Sequence, residues 1–306
     1  GEGFSVTFDP KSGFIRSYRL RNVELLAGPL RPSFYRAATD NDLGVRQTGK
    51  YPDSRMWAGA EPELVNFTLT SGDGGAKAVA DYMIPAVGAQ LRLAYVIAAD
   101  GSIRIGETMT ADPARKDVAD LMRFGMAFET PGMFDAVEYY GRGPDENYCD
   151  RKTGSKLGVY TSTVDEQFMY KYVKPQENGN RTDVRWTSLT NDEGTGLMVT
   201  ADGTMETSAQ HYTAEELNPA LSTQPYNSAS AYRHPYQVPM REDTIWCIDY
   251  MQRGVSNTAF FGHVPLDPYR LDTDKTYTHA FRISPVSGET DKMANSKVAV
   301  EPSTIQ

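Results

Sequence analysis

The sequence predicts an all-β protein built as a large antiparallel β-supersandwich. Period-2 alternation of apolar and polar residues recurs along the 306-residue chain, and Gly, Pro and Asp turn signals separate the alternating runs. Helical periodicity is scarce by comparison. Many short strands with such turns, and almost no helix, are typical of antiparallel sandwiches rather than of folds that alternate strands with helices.

Three segments predict β-hairpins, because each has two alternating runs around a short turn signal. FSVTFDPKSGFIRSYRL (4–20) turns around Lys11-Ser12-Gly13, and QLRLAYVIAADGSIRIGETMT (90–110) turns at Asp100-Gly101. GLMVTADGTMETSA (196–209) repeats the pattern, with a predicted turn at Asp202-Gly203.

Two later segments, TIWCIDYMQRGV (244–255) and KTYTHAFRISPV (275–286), predict further strands. PDSRMWAGAEPEL (52–64) has room for a short helical turn or two, which Pro62 would end. No linker, low-complexity run or exact repeat interrupts the chain. We therefore expect one β-supersandwich domain over residues 1–306, since all-β chains of this length occur as single units.

Composition disfavours two classes of partner. The formal net charge is −9 without a long basic run, which disfavours binding to nucleic-acid phosphates. No apolar stretch approaches the ~20 residues of a membrane span, so we expect no membrane partner. A neutral sugar is compatible with this composition.

Two isolated cysteines, Cys149 and Cys247, indicate neither a compartment nor a disulfide. The opening GEGFSV lacks an initiator Met and a signal peptide, which predicts an excised or processed piece.

The first polar cluster is RPSFYRAATDNDLG, Arg31 to Gly44. Its Asp40, Asn41 and Asp42 could supply oxygen ligands to Ca²⁺, but the cluster lacks the twelve-residue loop and its terminal Glu. Hydrogen bonds from these side chains to the local backbone, as in an Asx turn, are the favoured interpretation. The four histidines have no metal-site spacing either, so we expect no metal in this chain.

The second cluster is EYYGRGPDENYCDRKTGSKLGVY (138–160), and the third is YKYVKPQENGNRTDVRW (170–186). Their Glu146 and Glu177 raise the possibility of glycosidic-bond hydrolysis, which needs two carboxylates ~5–10 Å apart. Each glutamate is close in sequence to an arginine, Arg142 or Arg181, and such pairing would lower its pKa. That pattern favours a salt-bridged brace over a general acid. A dense hydrogen-bonding loop of this kind could face either a sugar or another domain.

These clusters, in this order and spacing, resemble the C-terminal (small-chain, fifth) domain of the large β-galactosidases of glycoside hydrolase family 2. RPSFYRAATDNDLG, YYGRGPDENYCDRKTGSKLGVY and KPQENGNRTDVRWTSLTN carry the resemblance. The first strands, FSVTFDPKSGFIRSYRLRNVELLAGPLRPSF, and the late segment CIDYMQRGVSNTAFFGHVPLDPYRL extend it over nearly the whole chain. The resemblance implies a galactose-mutarotase-like supersandwich and a parent enzyme that hydrolyses terminal β-D-galactosides.

The resemblance also implies that no catalytic residue lies in this chain. The two active-site glutamates of such enzymes, with their Mg²⁺ and Na⁺ ions, belong to a (β/α)₈ barrel earlier in the polypeptide, and the parent enzymes commonly form homo-oligomers. In the family this domain sends a Trp to the rim of the galactoside pocket. Here AFFG replaces that motif and Phe261 takes the Trp position, with Phe260 as the alternative. An aromatic face there would stack on a galactose or β-galactoside ring.

The polar clusters are then expected to form a structural network that braces this domain against the other domains of the same polypeptide. Its candidate members are Asp40, Asn41, Asp42, Arg142, Glu146, Asn147, Asp150, Arg151, Glu177, Asn180 and Arg181. The alternative function is an independent carbohydrate-binding module or an aldose-1-epimerase-like protein. An epimerase needs a His and a carboxylate base near one sugar carbon, and His211 with Glu215 or Glu216 is the local candidate.

Overall fold

The computed structural model describes residues 1–72, 74–218, 234–258 and 262–298. Within them the strands are β1 (Phe4–Phe8), β2 (Ile15–Leu20), β3 (Val23–Glu24), β4 (Arg31–Ser33), β5 (Glu63–Gly72), β6 (Gly75–Ile84), β7 (Ala89–Ala98), β8 (Ile103–Ala111), β9 (Arg123–Thr130), β10 (Ala136–Gly143), β11 (Lys156–Thr163), β12 (Arg181–Thr190), β13 (Gly196–Gln210), β14 (Thr244–Gln252) and β15 (Thr276–Val286). The helices are α1 (Asp40–Thr48) and α2 (Lys292–Asn295).

The predicted all-β antiparallel fold is confirmed. One 12-stranded sheet runs in the order β11-β10-β12-β13-β15-β8-β7-β6-β5, and every neighbouring pair along it is antiparallel. A branch of three strands leaves it at β13, which pairs β14, which pairs β9, which pairs β4. A small sheet, β1-β2-β3, packs on the same core. None of the helices in the described ranges is long and apolar enough to span a bilayer.

Two of the three predicted hairpins are confirmed. Strands β1 and β2 pair from Phe4↔Leu20 inward, and Gly13 in their turn has φ 72°. Strands β7 and β8 pair from Ala89↔Ala111 to Ile97↔Ile103, and Gly101 has φ 86°. Both glycines occupy the left-handed region, where a side chain would be strained. The strands predicted at 244–255 and 275–286 are confirmed as β14 and β15.

The third predicted hairpin is wrong, because residues 196–210 form the single long strand β13. Its first part, to Ala201, pairs with β15, and its last part, from Glu206, pairs with β14. Asp202-Gly203 is the exposed bend between the two parts, where Gly203 has φ 94°. Both parts also pair with β12, so the true hairpin turn lies between β12 and β13. A glycine at which a strand changes partner produces the same local pattern as a turn.

Helix α1 was not predicted, and it replaces the expected Asx turn at Asp40–Asp42. Thr39 is its N-cap, and its hydroxyl accepts a hydrogen bond from the Asp42 N–H. The Asp42 carboxylate accepts the Thr39 N–H in return (2.8 Å), which completes a capping box. Gly49, with φ 62°, ends the helix. Thr39 and Asp42 three residues apart, with Gly49 beyond, were the sequence signal for this helix.

Strands β13, β14 and β9 have one apolar face and one polar face. On the core face, the cross-strand row Ala209↔Trp246↔Phe128 is fully buried and apolar. On the opposite face the row Glu206↔Asp249↔Gly125 is equally buried but carries two carboxylates. Since successive side chains of a strand point to opposite faces, the alternation in β13 and β14 turns every second residue toward this polar face. The candidate site lies beside it.

Candidate functional site

Four segments meet in what we call the loop cluster, defined as residues 36–48, 142–152, 170–181 and 252–257. They are joined by side-chain hydrogen bonds that cross large distances in sequence. Asn41 Nδ2 donates to the Val255 carbonyl (2.7 Å), and the Ser256 N–H donates to Asp150 Oδ2 (2.8 Å). Asp40 forms an ion pair with Lys174. The loop cluster contains all eleven polar residues singled out in the sequence.

The buried centre of the first segment is Asp42, held between two arginines. Arg36 donates to Asp42 Oδ2 at 2.8 Å and Arg253 donates to Oδ1 at 2.6 Å, and all three side chains are nearly inaccessible. Burial of Asp42 acts to raise its pKa, but the charges of Arg36 and Arg253 outweigh it and hold the pKa well below its usual range. The helix α1 N-terminus is thereby tied to segment 252–257.

Two buried asparagines connect the second and third segments. Asn147 is completely buried and its amide donates to the carbonyls of Arg142 and Asp145, both at 3.0 Å. Its Oδ1 accepts from the N–H (3.0 Å) and the hydroxyl (2.5 Å) of Thr182. Asn180 Nδ2 donates to the Asn147 carbonyl (3.1 Å), so the side chains satisfy backbone groups that the irregular loops leave unpaired.

Glu146 is held by a different arginine from the one expected. Its carboxylate accepts from Arg151 (2.6 Å), from the Tyr172 hydroxyl and from the Gly179 N–H (2.8 Å). Arg151 also lies over the Tyr148 ring, 5.4 Å from its centroid. The expected partner, Arg142, instead donates to Asp183 (2.5 Å) on β12. The predicted Arg142–Glu146 pairing is therefore wrong, because Arg142 belongs to β10, whose neighbour in the sheet is β12, whereas Glu146 lies in the loop that follows β10.

Glu177 also departs from the prediction. The side chain is buried, and burial raises its pKa above the usual glutamate range although Arg123 and Arg36 lie near it. The expected partner Arg181 donates instead to the Tyr139 hydroxyl (3.0 Å) and lies over the Tyr139 ring. The predicted lowering of the Glu177 pKa by Arg181 is thus wrong, since desolvation outweighs the nearby positive charges.

A second buried charge cluster was not predicted from the sequence. Arg123 on β9 contacts Asp249 on β14 (3.0 Å), and Gln252, in the amide orientation that satisfies its neighbours, accepts from Arg123 (2.7 Å) and donates to Glu177 (3.3 Å). Glu206 accepts from Asn180 (3.0 Å) and from the Gln252 N–H (3.1 Å). Burial raises the pKa of Glu206 to about 8 and that of Asp249 to about 7. Charged residues inside otherwise apolar strands were the signal that could have revealed this cluster.

The pocket-rim candidates Phe260 and Phe261 lie outside the described residues. The flanks of their segment are described, and both contact the loop cluster. On one side Asn257 donates to Asn41 Oδ1 (3.1 Å). On the other, Gly262 has φ 95° and packs against Thr48 of α1 so closely that a Cβ atom would lie 2.7 Å from the Thr48 methyl group.

The epimerase candidates are engaged in separate contacts. His211 Nδ1 lies 3.3 Å from the Asp243 carbonyl, and Glu216 caps the following turn by accepting the Thr213 N–H (2.8 Å). Glu216 also pairs with Arg241 (3.3 Å), while Glu215 lines a cavity described below. Within the described ranges, no three His, Cys, Asp or Glu side chains are grouped so that they could hold a metal ion.

Chemically, these contacts fix the positions of the loops. Glu146 accepts three hydrogen bonds, and Glu177 is buried near Arg123 and Arg36, where it lines a cavity. Buried, mutually paired charges impose one geometry on the segments that carry them, because separating a pair leaves a charge uncompensated.

Comparison with known proteins gives a consistent result. A family model described as β-galactosidase small chain matches residues 1–283. The chain is 32% identical over 293 residues to a β-galactosidase of Priestia megaterium, covering 94% of this chain and 26% of that protein. It is 30% identical over 290 residues to a β-galactosidase of Halalkalibacterium halodurans, covering 94% and 27%. The chain thus spans about a quarter of the length of these curated relatives.

Among solved structures, the chain is similar to a galactose mutarotase related enzyme from Lactobacillus acidophilus, with a TM-score of 0.47 and 10% identity over 94% of this chain and 96% of that one. It is also similar to a putative aldose 1-epimerase from Escherichia coli K12, with a TM-score of 0.44, 10% identity, and coverage of 93% and 96%.

Proposed function

The chain belongs to the β-galactosidase small chain family, and on that premise we propose that it is the C-terminal domain of a glycoside hydrolase family 2 β-galactosidase that hydrolyses terminal β-D-galactosides. In this proposal the chain completes the wall of the sugar pocket and braces a catalytic (β/α)₈ barrel carried elsewhere in the parent polypeptide. The two catalytic glutamates and the Mg²⁺ and Na⁺ ions would belong to that barrel, and the parent would form a homo-oligomer.

One observation carries the pocket-wall role: both flanks of segment 259–261 are tied to the loop cluster. Asn41, Asp42 and Asp150 all bind residues 253–257, and helix α1 packs against Gly262. In the proposal, the aromatic side chain of residue 260 or 261 belongs to the segment between these anchored flanks and would stack on galactose.

Rigidity of such a rim matters because binding energy is lost when a recognition group must first be ordered. A misplacement of ~1 Å at a sugar-positioning group can lower turnover by ~10²-fold without any change in the reacting groups. The loop cluster would therefore influence hydrolysis through position alone.

The test uses the complete parent enzyme and o-nitrophenyl β-D-galactoside. Asp150→Ala removes the anchor of Ser256, whose hydroxyl and N–H both donate to Asp150. We expect KM to rise several-fold while the thermal unfolding midpoint changes little, because this contact is at the surface. Asp9→Ala is the matched control, since Asp9 also accepts a serine hydroxyl and a backbone N–H but lies in the β1–β2 turn, outside the loop cluster.

An unchanged KM in Asp150→Ala would contradict the pocket-wall role. Enzyme-like hydrolysis of the galactoside by the 306-residue chain alone would contradict the assignment of catalysis to another part of the parent. The epimerase alternative is tested separately by polarimetry of freshly dissolved α-galactose, where mutarotation accelerated in proportion to the chain would support it.

A further inference from the structure

A cavity of about 250 Å³ lies against the polar face of strands β13, β14, β9 and β4. Its floor is ordered by strand register. One cross-strand row is Ser208↔Cys247↔Ala127↔Arg31, and the next is Gln210↔Ile245↔Glu129. Alternating residues of adjacent strands face the same side, so hydroxyl, thiol, methyl, amide and carboxylate groups form one continuous surface. Ala127, at the centre of the first row, offers only a methyl group.

Aromatic side chains form the walls. Tyr35 precedes α1, Trp57 follows α1, and Tyr212 lies in the turn after β13. The Trp57 ring is fixed by a hydrogen bond from Nε1 to the Ala119 carbonyl (2.8 Å), and the Tyr35 hydroxyl accepts from Asn218 (2.5 Å). Rigid aromatic faces beside polar floor groups are the usual composition of a small-molecule site.

The charged groups at the inner end of the cavity are held in contacts within the protein. Arg123 pairs with Asp249 at 3.0 Å and donates to Cys247 Sγ at 3.2 Å, while burial favours the neutral form of Glu177. Nearer the mouth, Arg31 pairs with Glu61 at 2.6 Å and Glu129 lies 3.8 Å from Arg241. Because these lining charges are paired within the protein, the cavity favours a neutral ligand that both donates and accepts hydrogen bonds.

The mouth of the cavity is open to solvent. Arg31 and Glu61 line it and pair at 2.6 Å, and their side chains remain 49% and 70% exposed. The volume lies just below the range of ~300–1,000 Å³ usual for drug-sized ligands. It suits a single sugar ring rather than an oligosaccharide.

We propose that this cavity binds a neutral monosaccharide, with the sugar hydroxyls on the Ser208–Gln210 floor and the C–H groups of the ring against the small exposed parts of Trp57 and Tyr212. The proposal rests on the cavity alone and does not require the proposed function. Its residues are separate from segment 259–261, so the two can fail independently.

The experiment titrates the 306-residue chain with D-galactose and D-glucose, followed by Trp fluorescence and saturation-transfer NMR. We expect saturable binding in the millimolar range or tighter. Ala127→Phe should abolish it by filling the floor from a position that does not face the apolar core. Ala136→Phe, an exposed alanine at the start of β10, is the matched control and should bind like the wild type. Ser208→Ala should weaken binding by about 3- to 10-fold, the loss expected for one hydrogen bond.

Thermal unfolding of each variant is measured alongside. If Ala127→Phe does not fold, the Ser208→Ala titration decides the result. Absence of saturable binding of either sugar, or binding unchanged in a folded Ala127→Phe or in Ser208→Ala, would overturn the proposal. Glucosamine or glucuronate binding as tightly as the neutral sugars would overturn the inference of a neutral ligand.

Discussion

Asn147 and Asn180 are joined by two reciprocal hydrogen bonds: the Asn147 N–H donates to the Asn180 carbonyl at 2.8 Å, and Asn180 Nδ2 donates to the Asn147 carbonyl at 3.1 Å. The two residues lie in different polar clusters of the sequence, and both are completely buried. They therefore join the loop after β10 to the residue before β12 by two hydrogen bonds like those between neighbouring strands. One of the two donors is a side-chain amide instead of a backbone N–H.

Asn147→Ala should destabilise the chain by about 3 kcal/mol or more. The substitution removes four side-chain hydrogen bonds, and each buried backbone group left unpaired costs ~1–3 kcal/mol before relaxation. Urea unfolding at constant pH measures the effect. The control is Asn66→Ala at an exposed position of β5, which should change stability by less than ~0.5 kcal/mol. Equal effects of the two substitutions would show that the Asn147 bonds contribute nothing specific.

Asp42→Asn should cost ~3–5 kcal/mol, because it leaves Arg36 and Arg253 buried without a compensating charge. The exposed ion pair of Asp117 with Arg115 provides the control, and Asp117→Asn should cost no more than ~1 kcal/mol. A loss of less than ~1 kcal/mol in Asp42→Asn would contradict the view that the charge itself holds the arginines.

The pH dependence of the Asp42 contribution has a defined sign. Its folded pKa lies below the ordinary value of 3.8, so the folded state releases the proton more readily. The contribution to stability is present above that value and is lost as the pH falls through the folded pKa. The difference in unfolding free energy between the wild type and Asp42→Asn should therefore shrink on acidification. A difference that grows toward low pH would be inconsistent with this sign.

The contribution of Glu206 to stability should depend on pH in the opposite direction. Burial raises its folded pKa from 4.5 to about 8, so its contribution is fully present below 4.5 and is lost as the pH rises through about 8. Glu206→Gln keeps an acceptor oxygen for Asn180 and cannot ionise. The unfolding free energy of the variant should rise relative to that of the wild type by up to ~1.4 kcal/mol for each pH unit between 4.5 and about 8. The exposed Glu193→Gln is the control, and parallel stability curves for wild type and Glu206→Gln would rule out the effect.

Gly125→Ala should destabilise the chain by at least ~2 kcal/mol or prevent folding. A Cβ at this position would lie 2.4 Å from the Ile248 carbonyl oxygen and 2.5 Å from Asp249 Cα, so rigid backbone would have to move. Gly154→Ala, where a Cβ meets nothing within 4 Å, is the matched substitution and should leave thermal unfolding nearly unchanged. Tolerance of Ala at 125 would mean that β9 and β14 can separate freely beside Asp249.

Much of the fold could be predicted because strand alternation and turn chemistry are local properties. Hairpins β1–β2 and β7–β8 have a glycine at the one turn position that needs positive φ. The bend at Asp202-Gly203 carries the same signal with a different outcome. Whether a chain reverses there or continues to a new partner depends on β14 and β15, which lie far away in the sequence.

The candidate site was predictable in its residue types and unpredictable in its pairings. Glu146 pairs with Arg151 rather than Arg142, although both arginines are within five residues of it. The electrostatic environment of Glu177 depends on Arg36 and Arg123, which the sequence places 141 and 54 residues away. No local pattern indicates which distant charge will face a buried carboxyl group.

The amino-acid sequence by itself determined that this chain is built of antiparallel strands, where β1, β2, β7, β8, β14 and β15 lie, and which segments carry the polar clusters. The tertiary structure alone decided which of those polar groups are partners, that Asp42 holds two arginines and that Glu206 favours its neutral form. The physical reason is the distance along the sequence over which each property is set. Alternation and turn geometry are settled over a few residues, whereas burial and ion pairing depend on whatever other strands and loops fold against the same surface.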